Sequence, residues 1–312
     1  MTGSARVLIV GGAGQVGREL QRSFSGFGEI TVVDRENLDI AVPEEIRAII
    51  RRVRPQVILN AAAYTAVDRA ESEPELAMAI NAEAPRVLAE EARSSDAMLV
   101  HYSTDYVFDG SKPAPWTEED APHPLSVYGV SKLAGEEAIW QVGGRYLIFR
   151  TSWVYGPHGN NFLLTMLRLG RERDLLRVVD DQHGAPTTSI EIAHATHAIV
   201  EGSLAGRFGE PEAWAGLYHM SCTGATTWRG FAQAIFARTG YLLDGRLPEV
   251  KAIASSEYPT AAMRPLNSVL SNAKLQARFG VALAPWEAAL EAVVERLTAA
   301  AAATKQADLP RE

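Results

Sequence analysis

The first half of the chain alternates short apolar runs with longer stretches in which apolar residues recur every three or four positions. Runs rich in Val and Ile are typical of strands covered on both faces, and the longer stretches are typical of amphipathic helices. The predicted strands are Val7–Val10, Ile30–Asp34, Val57–Ala62, Met98–Thr104 and Tyr146–Tyr155. The predicted helices are Gly14–Ser25, Pro43–Val53, Pro74–Ser94 and Val127–Gln141. This alternation predicts an α/β fold built on a doubly wound parallel sheet.

The pattern changes after Tyr155, where turn-forming residues at 156–161 begin a more irregular stretch. We predict a sheet domain over residues 1–155 that a helix at about 183–202 rejoins. A smaller C-terminal α/β substrate-binding lobe is expected from residues 156–182 and 203–298. The Ala-rich and then polar residues 299–312 are expected to form a frayed tail.

Composition excludes several functional classes. The 312 residues carry a formal net charge of −8, which argues against a basic surface for nucleic acid. The single cysteine, Cys222, cannot form an internal disulfide or a thiolate zinc site. Apolar runs are too short for a membrane span, and the N-terminus lacks the pattern of a signal peptide. We therefore expect a cytoplasmic protein.

A glycine-rich turn follows the first predicted strand. Gly11, Gly14 and Gly17 lie between that strand and a helix, a position in which glycines let the backbone approach a pyrophosphate. Gln15 and Val16 would present the N–H groups of the helix start. The spacing fits two glycine patterns, because Gly12 is also present. It predicts a Rossmann-type dinucleotide site without choosing between subfamilies.

Two further strand ends are candidates for cofactor contact. Asp34 ends the second strand, where an acid accepts hydrogen bonds from the adenosine ribose and repels a 2′-phosphate. Arg35 could pair with that phosphate instead, so either NADPH or NADH is expected. The small residues after the third strand, 60–65, would let a flat ligand pass close to the backbone, although tight helix–sheet packing also explains them.

Tyr128 and Lys132 are four residues apart on a predicted helix and so share one face. A nearby ammonium favours the phenolate and lowers the pKa of a tyrosine, which makes it a better acid–base group. Alone, this pair would be better explained as two side chains on a surface helix. Thr104 changes the interpretation, because its hydroxyl ends the fourth strand and could polarise a carbonyl that Tyr128 protonates. These three residues are the predicted catalytic group.

Together, these motifs resemble the extended short-chain dehydrogenase/reductase superfamily. Six blocks, at residues 60–68, 71–76, 101–108, 149–155, 181–187 and 264–268, are similar to the dTDP-4-dehydrorhamnose reductase family. The resemblance extends over nearly the whole chain. It implies an NAD(P)H-dependent reduction of the C4 keto group of dTDP-4-dehydro-L-rhamnose, the last step of dTDP-L-rhamnose synthesis.

The resemblance also implies roles for individual residues. Tyr128 is expected to be the proton donor, Lys132 its partner and Thr104 the group that orients the carbonyl. Thr104, Asp105 and Trp153 are expected to contact the sugar nucleotide. The residues expected to line the cofactor are Gly14, Gln15, Val16, Asp34, Asp39, Ile40, Ala63, Tyr64, Thr65 and Tyr102, together with Tyr128 and Lys132.

Several alternatives remain open from the sequence. Arg264 could clamp a pyrophosphate with both arms of its guanidinium, or it could form an ion pair. Some relatives carry Mg²⁺ at a dimer interface, but Glu191 does not fit that pattern, so no metal ligand is predicted and a homodimer is only a possibility. A non-catalytic regulatory subunit, or an epimerase or dehydratase with the same three residues, would also fit; an acid beside the hydroxyl, as at Asp105, is usual in dehydratases.

Overall fold

The computed structural model describes residues 5–243, 245 and 247–307. Its strands are β1 (Ala5–Val10), β2 (Gly28–Val33), β3 (Val57–Asn60), β4 (Met98–Thr104), β5 (Tyr146–Thr151), β6 (Val154–Tyr155), β7 (Leu175–Val179), β8 (His183–Gly184), β9 (Thr187–Thr188), β10 (Gly216–His219), β11 (Thr226–Thr227) and β12 (Glu249–Ile253). Its α-helices are α1 (Gln15–Ser23), α2 (Pro43–Val53), α3 (Val67–Ala70), α4 (Pro74–Met78), α5 (Ala84–Ser94), α6 (Val127–Val142), α7 (Phe162–Glu172), α8 (Ser189–Leu204), α9 (Pro211–Trp214), α10 (Trp228–Thr239), α11 (Ala273–Phe279) and α12 (Trp286–Ala307).

The central sheet has six strands in the order β10-β5-β4-β3-β1-β2. Every neighbouring pair is parallel, so the carboxyl ends of all six strands meet at one edge. The order changes direction between β1 and β3, which is where ligands bind in open α/β sheets. The predicted doubly wound Rossmann-type fold is confirmed.

Both faces of the sheet are covered, which explains its almost wholly apolar strands. Alternate residues of β1, such as Val7 and Ile9, pack with α1 and α8. Leu8 and Val10 point the other way and pack with α2, α5 and α6. Helix α2 shows how well the local sequence fits this layer: Pro43 starts it, acids occupy its first turn and arginines its last turn.

Four details differ from the sequence-based expectations. The predicted strand 146–155 divides into β5 and β6, because Trp153 takes a left-handed backbone conformation with φ of 47°. The predicted helix Pro74–Ser94 contains a π-helical turn at Ala79–Glu83. Strand β10 joins the central sheet, although residues 203–298 were assigned to the second lobe. Residues 299–307 continue α12 instead of fraying, and 308–312 lie outside the described residues.

Residues after β5 build a smaller layer beside the sheet. Strands β7 and β12 pair in parallel, and α7 and α10 pack together near them. Helix α8 returns to the first domain, where Ser23 donates a hydrogen bond to the carbonyl of Ala193. Within the described part of the chain, no helix is both long enough and apolar enough to cross a membrane.

Candidate active site

The turn after β1 brings the predicted glycines together at the ligand-binding edge of the sheet. The N–H groups of Gly11 and Gly12 donate to the carbonyl of Val33, which ties the turn to β2. Gly14 is the N-cap of α1 and supplies no side-chain cap, so the first N–H groups of the helix, at Gln15 and Val16, have no side-chain acceptor from the cap. Such a helix start is a ready binding site for an anion.

The close approach of this turn to its neighbours requires two of the glycines. Gly11 has φ of 84°, and a Cβ there would lie 2.6 Å from the backbone nitrogen of Ala62 at the end of β3. A Cβ at Gly17 would lie 2.2 Å from the carbonyl oxygen of Gly11. Side chains at these two positions would collide with the backbone, so the glycines let the turn pack tightly, while Ala13 and Gly14 stay exposed at the start of α1, as a pyrophosphate site requires.

Asp34 lies at the end of β2, beside an open cavity of about 540 Å³. Gly12, Ala13 and Arg18 line the same cavity. One carboxylate oxygen of Asp34 accepts the N–H of Glu36 at 3.0 Å, which fixes the turn after the strand. Arg18 donates through Nε to the carbonyl of Ala13 at 3.0 Å. A cation and an anion thus face the same space, where a 2′-phosphate or a ribose hydroxyl could be recognised.

The other predicted cofactor residues differ in how far they are exposed to solvent. Asp39 is exposed, and its carboxylate accepts the N–H of Ala41. Ile40 packs partly buried against the core beside α2. Ala63, Tyr64 and Thr65 follow β3, and Tyr64 is buried with its N–H bonded to Asn81 at 2.8 Å.

Helix α6 places Tyr128 and Lys132 against β4. Ser126 caps the helix by accepting the N–H of Gly129 at 3.2 Å. A Cβ at Gly129 would lie 2.3 Å from the carbonyl oxygen of Tyr106, and one at Gly135 would lie 2.1 Å from that of Asn81. These two glycines let the helix approach the segment after β4 and the π-helical turn more closely than larger residues would allow.

Tyr128 and Thr104 come together at the carboxyl end of β4. The Tyr128 phenol is near enough to the Thr104 hydroxyl for that hydroxyl to act on its pKa. Burial raises the pKa of Tyr128 to about 12, although the contact with Thr104 acts to lower it. The sequence had predicted a lowered pKa caused by Lys132. In the structure burial dominates, because the ammonium of Lys132 bonds to other partners.

Lys132 is only 1% exposed and belongs to a buried network. Its Nζ donates to the carbonyl of Tyr102 at 2.7 Å and lies 3.0 Å from Nε2 of His101. Desolvation lowers the pKa of Lys132 to about 8, while the charge of Glu136 acts to raise it. Glu136 in turn forms a buried ion pair with Arg150 of β5 at 2.6 Å.

Tyr102 contributes to the network around Lys132 through its backbone carbonyl, not through its ring. The ring packs in the core on the α1 and α8 face, and its hydroxyl bonds to Thr196 at 2.9 Å. The ring of Tyr102 therefore lies on the α1 and α8 face of the sheet, and the contact of this residue with the cofactor stays a prediction. Successive strand residues point to opposite faces, so the ring is directed away from the face of β4 that Lys132 contacts.

Asp105 is a buried carboxylic acid next to Thr104. It accepts hydrogen bonds from the hydroxyls of Thr104, at 3.0 Å, and Ser152, at 3.1 Å. Burial raises its pKa to about 6, and the surrounding hydroxyls offset part of that increase. The N–H of Tyr106 completes the environment of Thr104 by donating to its oxygen at 3.1 Å.

Trp153 and Arg264, the other predicted substrate residues, lie in different surroundings. Trp153 stacks on Trp228 with ring centroids 3.6 Å apart, and the pair lies against Gly184. Arg264 forms a two-armed ion pair with Asp68 at 2.7 and 3.1 Å. The structure thus shows Arg264 in an ion pair with Asp68, and its contact with a pyrophosphate stays a prediction.

No metal centre is evident in the part of the chain that the structure describes. Nowhere in it do three or more His, Cys, Asp or Glu side chains come close enough together to hold an ion. Glu191, the residue considered from the sequence, accepts the N–H of Ala284 at 2.9 Å. Its surroundings do not fit a metal ligand, and we derive no step from a metal.

Comparisons with known proteins identify relatives of this chain. The family model of the RmlD substrate binding domain matches residues 5–299. A dTDP-4-dehydrorhamnose reductase of Salmonella typhimurium is 46% identical over 288 residues, which are 90% of this chain and 94% of the relative. One from Burkholderia thailandensis is 44% identical over 300 residues, 94% and 99% of the two chains.

The chain belongs to the dTDP-4-dehydrorhamnose reductase family. The resemblance inferred from its motifs is thereby confirmed. The crystal structure of the dTDP-4-dehydrorhamnose reductase from Bacillus anthracis in complex with NADP superposes with a TM-score of 0.85. The match covers 94% of this chain and 99% of that chain, at 36% identity.

Several residues that build the site in this member of the dTDP-4-dehydrorhamnose reductase family were given no role from the sequence. His101 and Asn60 form the buried line behind Lys132, Arg18 lines the cavity beside Asp34, and Trp228 stacks on Trp153. His101 carried a readable signal, since it is a polar residue in the middle of a strand that is otherwise buried and apolar. Trp228 carried none, because its partner is 75 residues away in the sequence.

Proposed function

We propose that the chain reduces the C4 keto group of dTDP-4-dehydro-L-rhamnose with NAD(P)H, giving dTDP-L-rhamnose. Curated relatives of nearly the same length carry the corresponding reductase name. The observation that supports the chemistry best is the position of Tyr128 near Thr104, with Lys132 one turn later on α6 and bonded to the carbonyl of Tyr102 in β4. The substrate is inferred from the relatives, and the reaction type from this cluster.

Each residue of the cluster has one role in this proposal. Tyr128 donates the proton that the ketone oxygen gains, and Thr104 donates a hydrogen bond that orients that oxygen. Lys132 presents an ammonium that can bind a ribose hydroxyl of the cofactor. The bound reduced cofactor supplies the hydride that the C4 carbon gains. Hydride and proton together convert the ketone to a secondary alcohol.

Residues around the switch point of the sheet would hold the cofactor. The turn at Gly11–Gly17 suits the pyrophosphate, and Asp34 with Arg18 suits the adenosine ribose or its 2′-phosphate. Asp39, Ile40 and the segment Ala63–Thr65 line the neighbouring edge. NADPH is the first cofactor to test, since the Bacillus anthracis relative was solved with NADP.

Asp105 and Trp153 are proposed to contact the sugar nucleotide. Asp105 is close to the reacting oxygen because it accepts the Thr104 hydroxyl. The stacked rings of Trp153 and Trp228 offer a flat apolar surface of the kind on which sugars and bases pack. We also propose that the protein forms a homodimer, and light scattering in solution tests this. A further proposal is that the protein works in the cytoplasm, and cell fractionation tests that.

The test is NADPH oxidation with a panel of 4-keto sugar nucleotides, followed by identification of the products. A reductase consumes one NADPH for each alcohol formed and prefers dTDP-4-dehydro-L-rhamnose. An epimerase or dehydratase returns its hydride, so product without net NADPH consumption contradicts the proposal. Tight NADPH binding without any turnover would instead identify a regulatory subunit.

A further inference from the structure

A histidine lies fully buried behind the lysine of the proposed catalytic group. His101 is 1% exposed, and it is the residue of β4 three positions before Thr104. One ring nitrogen, Nε2, lies 3.0 Å from Nζ of Lys132, and the other, Nδ1, lies 3.0 Å from the side-chain nitrogen of Asn60. Asn60 is also 1% exposed. The three side chains therefore form a continuous hydrogen-bonded line inside the protein.

We propose that His101 is a positioning residue for this reaction: its neutral ring holds the ammonium of Lys132 at the carboxyl end of β4 and helps to keep that lysine charged. This inference rests on the proposed function only for the role of Lys132 in binding the cofactor. The histidine acts through Lys132.

The ring is uncharged for two physical reasons. Burial lowers the pKa of His101 well below its usual value, and the ammonium of Lys132 lowers it further. A neutral imidazole has one lone pair and one N–H group. When Lys132 is charged, Nζ can only donate, so the lone pair must be on Nε2 and the hydrogen on Nδ1.

Asn60 makes this arrangement sensitive to the proton on Lys132. Its nitrogen faces Nδ1, while its oxygen accepts the N–H of Ala62 in a long bond of 3.3 Å. Two donors meeting at Nδ1 would repel, so a charged Lys132 requires the amide to turn its oxygen toward the ring, which gives up the long bond. The proton of Lys132 is thus coupled to both buried neighbours, which fits its lowered pKa of about 8.

The other charged groups around Lys132 do not titrate in step with it. Glu136, one turn later on α6, is held in its buried ion pair with Arg150 from β5. Tyr128, one turn earlier, has its pKa raised by burial to about 12. Asp105, after β4, has its pKa raised by burial to about 6. Between pH 7 and 10, Lys132 is therefore the group whose charge His101 governs.

Binding of NADP⁺ as a function of pH tests the proposal without requiring turnover. The wild-type affinity should fall as the pH passes through the pKa of Lys132, because an amine replaces the ammonium. His101→Leu removes one of the two acceptors of the buried ammonium, so this fall should move about one pH unit lower. His101→Gln, which keeps an acceptor, should stay within about half that shift of the wild type.

A purely structural role for His101 gives a different result. Loss of packing alone would weaken NADP⁺ binding by the same factor at every pH. His219→Leu is the matched control, since it removes another fully buried imidazole, on β10 and bonded to the carbonyl of Trp116 instead of to Lys132, and should leave the pH of the fall unchanged. A His101→Leu profile that coincides with the wild type in pH, or a His101→Gln profile shifted as far as that of His101→Leu, would overturn the proposal. If the pH dependence of NADP⁺ binding shifts as described but none of the 4-keto sugar nucleotides is reduced, the proposed substrate is wrong and the role of His101 stands.

Discussion

Two regions at the same edge of the sheet are built in opposite ways. The turn after β1 presents backbone: glycines that no side chain can replace and the bare start of α1. The cluster around β4 presents buried side chains with hydrogen-bonded partners, among them Lys132 and Asp105. The first region needs little beyond its own few residues, whereas the second depends on how α6 is placed against β4.

This difference separates binding from chemistry. A backbone cradle can hold a phosphate group at any pH, because N–H groups do not titrate. The buried cluster contains groups whose pKa values burial has moved in both directions, to about 12 for Tyr128, about 8 for Lys132 and about 6 for Asp105. Such displaced values are typical of functional sites. Changes in the cluster should therefore alter rates and pH profiles, and changes near the turn should alter affinity.

Tyr128→Phe should give the largest effect, and it distinguishes the catalytic cluster from the cofactor-binding turn most clearly. The ring is retained and the proton donor is lost, so turnover should fall by about 10²–10⁴. NADPH affinity should change little, because the glycine turn is untouched. Steady-state rates measure the turnover, and a titration with NADPH measures the affinity. Tyr146→Phe, at the amino end of β5, is the control. Near-normal turnover of Tyr128→Phe would remove Tyr128 from the mechanism.

Asp105→Asn should give the next largest effect, on stability. The raised pKa of about 6 means that folding favours the protonated acid, so wild-type stability falls as the pH rises from about 4 to about 6. The neutral amide lacks this dependence. The unfolding free energy of the variant, relative to that of the wild type, should therefore rise by about 3 kcal/mol across that pH range.

Denaturant unfolding at pH 4 and pH 7 measures this change. Asp109→Asn is a control of opposite sign, since hydrogen bonds from Ser111 lower the pKa of Asp109 and its stabilisation is lost as the pH falls. If the Asp105→Asn difference is the same at both pH values, Asp105 is ionised throughout and the cluster is less desolvated than described.

Asp34→Asn should give the smallest effect, confined to cofactor choice. The amide oxygen can still accept the N–H of Glu36, so the turn is retained while the repulsion of a 2′-phosphate is removed. The ratio of kcat/KM for NADPH to that for NADH should rise about tenfold, a typical value for one charge near a partly exposed phosphate. Glu36→Gln removes the same charge two residues away. Equal ratios for both variants would place Asp34 outside the ribose site.

The comparison also explains what the sequence could predict. The strands, the glycine turn and the spacing of Tyr128 and Lys132 follow from local patterns, and the fold and the family were predicted correctly from them. The partners of Lys132 could not be predicted, because they depend on the register of β4 against α6. The same holds for Arg264, whose partner Asp68 is distant in sequence, and for Trp153, whose left-handed backbone no pattern indicated.

Lys132 belongs to both regions, because it is buried in the catalytic cluster and is proposed to hold the cofactor ribose. The most direct test of the account is therefore the Kd of NADP⁺ for Lys132→Met from pH 7 to pH 10. The control is Lys112→Met, which loses a partly buried ion pair with Asp120 and a contact with the Trp116 ring. The account predicts that Kd rises about tenfold at pH 7 and no longer changes near pH 8, with folding intact. A variant with the wild-type Kd and the wild-type pH profile would contradict it.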